Sequence, residues 1–115
     1  MSEHDDRLPM HQMLEHAREA VDMIRGRTRA ELRTNRILQL ALAHLVQVVG
    51  EAATRVSRAG QTLYPEIPWA RAIGTRHRMV HDYDRIEYDV VWDTIAEDFP
   101  PLVAALKRAL SNESG

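Results

Sequence analysis

Nine residues at 75–83, "TRHRMVHDY", gather Arg76, His77, Arg78, His81 and Tyr83. An imidazole can move a proton near neutral pH, and a guanidinium offers forked, permanently charged donors to an anion. Such a set suits chemistry on an anionic substrate. On a helical wheel Trp69, Ile73, Arg76, Val80 and Tyr83 share one stripe, with Ala72 and Met79 beside it, so Arg76 is expected in the middle of an apolar face. A guanidinium there needs a carboxylate, backbone carbonyls or a cleft facing an anion, and Glu51 is the candidate carboxylate to orient it. His77 and His81, four residues apart, fall together on the flank of that stripe. Their spacing also fits two metal ligands on one helical turn, but there is no HExxH pattern and no third ligand is indicated.

The elements that must hold these groups are helical. Met10, Leu14, Ala17, Val21 and Ile24 form a first apolar stripe ending near Gly26. A second helix is expected from Thr28 or Arg29 to about Ala59, stopped by Gly60. Its apolar set, from Ile37 to Val56, covers about half the wheel, more than the roughly 100° stripe of a helix facing one core. A bundle core on one side and a partner subunit on the other would account for that width. Pro68 suits the start of a third helix after the loop "QTLYPEIPW", and a last helical region runs from Tyr88. It carries Val91, Ile95, Leu102, Leu106 and Leu110, and Pro100 and Pro101 must kink or restart it. No alternating run is long enough to require a strand. An all-α antiparallel bundle in a single domain, 1–115, is the expected architecture.

The spacing Arg76, four residues, His81, one residue, Tyr83 resembles the RX4HXY motif of HepT toxins in the HEPN (higher eukaryote and prokaryote nucleotide-binding) superfamily. The likeness extends to "GEAATRVS" from Gly50, "YPEIPWARAIGTRHRMVHDYDRIEYDVVWDTI" from Tyr64, and "LVAALKRAL" after the prolines. Where that family most often has Asn or Asp after the arginine, this sequence has His77. The resemblance implies a dimeric four- or five-helix bundle whose motif helices face a shared cleft. It implies a metal-independent endoribonuclease, the toxin of a HEPN/MNT type VII toxin–antitoxin pair, acting on RNA with tRNA as a candidate class. Arg76 and His81 would be catalytic, with His77 and Arg78 as accessory polar groups. The partner implied is a minimal nucleotidyltransferase, MntA, that transfers AMP to Tyr83.

On residue type alone, other readings stand beside this one. His81 could be a packed or solvated histidine, Arg76 a structural ion pair, and Tyr83 a ring closing the core. Arg71, Arg78 and Arg85 read as a solvated face that in a dimer could flank RNA. A non-catalytic helical module that binds nucleotide or a partner protein is the alternative function. The chain lacks cysteine, so disulfides and thiolate zinc sites are excluded. A net charge of −2 argues against coating nucleic acid by bulk charge, while leaving room for a local basic site. The acidic start "MSEHDDRLPM" has no apolar run, and neither a membrane span nor a bound cofactor is expected. The cytoplasm is the expected location.

Overall fold

Helices account for nearly all the regular structure in the computed structural model, which describes residues 5–81 and 85–114, the side chains of 81 and 112–114 excepted. Helix α1 (Arg7–Ile24) buries Pro9, Met10, Met13, Ala17 and Ala20, a stripe turned slightly from the expected one, with Leu14, Val21 and Ile24 half-buried. The helix ends as anticipated: Gly26 takes φ +78°, a left-handed conformation that disfavours a Cβ.

The single helix expected from Thr28 or Arg29 to Ala59 is three. These are α2 (Arg29–Thr34), α3 (Arg36–Thr54) and α4 (Arg58–Leu63). Side-chain caps make the breaks. The Thr28 hydroxyl and the Glu31 carboxylate form a capping box that starts α2. The Asn35 side chain accepts from the Leu38 N–H, starting α3, and the Gln39 amide donates back to the carbonyls of Leu32 and Arg33 at the end of α2. Ser57 caps α4 by accepting from the Gly60 N–H. Gly60 therefore lies inside a helix instead of stopping one, and the reason is remote in sequence. The Asp6 carboxylate accepts from both the backbone N–H and the hydroxyl of Ser57, at 2.8 and 2.6 Å, and sits directly over Gly60. A Cβ at residue 60 would drive into that carboxylate. Gly60→Ala is expected to lose about 1–3 kcal/mol, by displacing Asp6 from Ser57, in urea unfolding followed by helical circular dichroism.

Helix α3 is long and apolar enough, by length and composition alone, to cross a bilayer. Here its buried stripe, Leu38, Leu42, Leu45, Val46, Val49, Ala52 and Ala53, packs on α1 and α5. Helix α5 (Trp69–Met79) follows Pro68, its N-cap, as expected to within one residue. A two-residue antiparallel pair, β1 (Val80–His81) with β2 (Arg85–Ile86), comes next. Helix α6 (Tyr88–Asp93) then widens into a π-helical turn at Thr94–Asp98 before α7 (Phe99–Ser114), which packs on α1. The π turn fits the two prolines: Pro100 and Pro101 cannot donate to the preceding turn, and a locally wider helix accommodates the lost bonds. Val91, Ile95, Leu102, Leu106 and Leu110 are all buried, as their spacing predicts.

Candidate active site

Helix α5 ends on three basic residues, Arg76, His77 and Arg78, in its last turn, where the positive charge of the arginines complements the helix dipole. Beyond Met79 the backbone extends: Val80 takes φ −94° and ψ 120° and pairs with Ile86, while His81 pairs with Arg85. The Glu87 N–H donates to the Met79 carbonyl at 2.6 Å and closes the turn of chain. His81 is thus on a strand two residues past the helix. The helical relation expected of His77 and His81 does not form, and with it goes the one-turn spacing of an i, i+4 metal pair. Tyr83 lies outside the described residues.

Arg76 is also not where the wheel put it. The face that α5 buries is Trp69, Ala72, Thr75 and Met79, so Arg76 and His77 are exposed and Val80 is 40% exposed. Thr75 can take the interior position because its hydroxyl is satisfied, donating to the Arg71 carbonyl at 2.9 Å and accepting from Arg78 at 2.7 Å. The ring of Trp69 fixes the start of the helix by donating its Nε1–H to the Tyr64 carbonyl. The expected pairing of Arg76 with Glu51 is absent: both are exposed, and Arg76 has no ion pair or hydrogen bond among the described residues.

Arg78 turns away from its neighbours. Besides Thr75 it donates to the Arg71 carbonyl and approaches Asp98, the last residue of the π turn, at 3.9 Å, while Arg71 bonds the same carboxylate oxygen at 3.0 Å. Burial, with a contribution from the nearby Arg71, lowers the pKa of the Arg78 guanidinium from its ordinary value. These contacts join α5 to the π turn.

Arg76 and His77 instead line a groove of about 560 Å³, with Gln47 of α3 and the paired Val80 and Ile86 as its other walls. A second groove of the same size adjoins it, sharing Gln47 and Ile86, and runs along α3 past Arg36, Leu40 and His44 to Arg85 and Tyr88. Sequence reading passed over His44, Gln47 and Arg36. Their signal was present, since Arg36, Leu40, Ala43 and Gln47 step by four and three along the side of α3 away from its buried stripe. It pointed to a surface only once the β pair and Tyr88 were known to face it.

Residues 13–109 match the family model described as Ribonuclease HepT-like. The chain belongs to the HepT-like ribonuclease family. It is 30% identical over 99 residues to a Thermococcus cleftensis protein named "Probable ribonuclease HepT", covering 83% of this chain and 90% of that one. An inferred RNase of Methanocaldococcus jannaschii is 24% identical over 102 residues, covering 89% of this chain and 94% of its own. A second from that organism is 22% identical over 115 residues, covering 100% of this chain and 95% of its own. No solved structure matches.

Proposed function

We propose that this protein is a metal-independent endoribonuclease whose site is the groove at the end of α5. The observation that carries this reading is Arg76: a permanent cation without a carboxylate partner among the described residues, held by a helix at a groove that also receives His77, in a chain of the HepT-like ribonuclease family. RNA brings its own nucleophile. The 2′-hydroxyl gives its proton to the imidazole of His81 and bonds to phosphorus; the bond to the 5′-oxygen breaks, and that oxygen takes up a proton. Arg76 offers two N–H groups to the non-bridging oxygens as charge builds on the pentacoordinate phosphate. The products are a 2′,3′-cyclic phosphate and a 5′-hydroxyl. Purified protein incubated with total RNA in chelator tests the reading, and intact RNA counts against it.

The same reading makes the protein a cytoplasmic toxin that works as a homodimer, with a nucleotidyltransferase partner that modifies Tyr83. Support for the dimer is the outward side of α3. Ile37 is 81% exposed and Leu40 55%, while Ala41 and Val48 continue the apolar strip beside them. Ile37→Glu, a change at a largely exposed side chain, is expected to turn a dimer into a folded monomer in sedimentation at micromolar concentration. A wild-type protein that already sediments as a monomer would contradict the dimer.

A further inference from the structure

Arg25, Arg27, Arg29, Arg33, Arg71 and Arg78 each lie within 4 Å of a carboxylate. Arg18, Arg36, Arg58, Arg76, Arg85 and Arg108 have no carboxylate ion pair among the described residues, and three of these six, Arg36, Arg76 and Arg85, line the two adjoining grooves. Arg36 is oriented, but only by neutral groups: it donates to the Gln39 side-chain carbonyl at 3.2 Å and to the Tyr88 hydroxyl at 3.1 Å. None of the described residues lining either groove is Asp or Glu, in a chain whose net charge is −2. Three guanidiniums without a carboxylate partner among the described residues, with His44 and His77, therefore follow one channel across the shared residues Gln47 and Ile86.

We propose that the groove along α3, lined by Arg36, His44, Arg85 and Tyr88, is a binding subsite for single-stranded RNA, holding the nucleotides that flank the phosphate at Arg76. This rests on the ribonuclease reading and extends it beyond the motif. The charge pattern selects a polyanion. The shape selects a single strand: each groove is a concavity of about 560 Å³ with apolar residues in its lining, Leu40, Ala43 and Ile86 in one, Val80 and Ile86 in the other. Unstacked bases can enter such a depression and lie on the Tyr88 ring or a guanidinium plane, whereas duplex RNA is met across its broad minor groove. Leu40 belongs both to this groove and to the exposed strip with Ile37, so the RNA channel and the proposed subunit face adjoin on α3.

The test uses the full chain and an RNA of about twelve nucleotides, 2′-O-methylated so that it has no nucleophile. Binding is followed by fluorescence anisotropy across salt. In Arg36→Ala/Arg85→Ala the dissociation constant should rise at least about tenfold at low salt, and the log–log salt slope should flatten by about 1.4, the loss of two phosphate contacts on a single strand. Arg58→Ala/Arg108→Ala removes the same charge from exposed positions off the grooves and should bind like wild type. If wild type cleaves total RNA while Arg36→Ala/Arg85→Ala binds with unchanged affinity and slope, the subsite is wrong and the ribonuclease survives. If wild type neither binds nor cleaves RNA, both fall. Loss of self-association in Arg36→Ala/Arg85→Ala would make the groove a subunit interface and overturn the proposal.

Discussion

Arg76→Ala is expected to abolish RNA cleavage, by about a hundredfold or more, and to leave the fold untouched. Both halves of that statement come from the same feature. An exposed arginine with no ion pair or side-chain hydrogen bond among the described residues has no such bond there to lose, so truncation should cost stability no more than about 0.5 kcal/mol. What it does lose is the only forked donor at the groove shared with His77 among the described lining residues. Arg76→Lys should recover little, because an ammonium cannot offer two parallel N–H groups to one phosphate. His81→Ala should match Arg76→Ala in rate if the imidazole takes the 2′-hydroxyl proton. Arg78→Ala provides the contrast. It breaks contacts to Thr75, the Arg71 carbonyl and Asp98, so it should lower the midpoint of urea unfolding, with activity falling only as far as folded protein is lost. If instead Arg76→Ala unfolds the protein and Arg78→Ala does not, the assignments are reversed.

Tyr83→Phe is expected to abolish AMP transfer completely and to free the ribonuclease from control. In the proposed reaction the phenolic oxygen bonds to the α-phosphorus of ATP, the phenolic proton is lost, and pyrophosphate leaves. Tyr83 is two residues along the chain from His81 and two from Arg85, whose neighbours Val80 and Ile86 wall the Arg76 groove. In this proposal a nucleotide on Tyr83 adds bulk to the segment between the paired strands and a phosphate that competes for arginines with no carboxylate partner among the described residues. Substrate is then excluded by volume and by competing ion pairs. Co-expression with a competent nucleotidyltransferase followed by mass spectrometry should place AMP on Tyr83 in wild type and nowhere in Tyr83→Phe, which should remain toxic. AMP on Tyr64 or Tyr88 would remove the proposed switch and leave the ribonuclease standing.

Where sequence reading succeeded and failed follows from the range of the forces involved. Local signals located α1 and its glycine end, the start of α5 behind Pro68, and the buried positions of the last helical region. The breaks at Asn35 and Ser57 were hidden because caps inside a continuous apolar pattern look like ordinary polar positions, and Gly60 is explained only by a carboxylate 54 positions earlier, at Asp6. Arg76 was misplaced for a related reason. A wheel counts an arginine between apolar neighbours as facing the core, but a threonine whose hydroxyl is internally bonded can fill that position and turn the guanidinium outward. The wheel also ran past the true end of α5 at Met79, where β-branched Val80 enters an extended pair instead of another turn. The motif residues themselves were legible from type and spacing. The groove that surrounds them was not, because it joins α3 to residues about forty positions later.

The central claim, that the chain's own side chains cut RNA through the 2′-hydroxyl, is tested most directly with one end-labelled RNA and its counterpart carrying a single 2′-deoxynucleotide on the 5′ side of the cut. Purified wild-type protein in chelator should cleave the first to a 2′,3′-cyclic phosphate and a 5′-hydroxyl, leave the deoxy-substituted bond intact, and lose both abilities to cut and to release these ends in Arg76→Ala. Cleavage of the deoxy-substituted bond, or undiminished cleavage by folded Arg76→Ala, would contradict it.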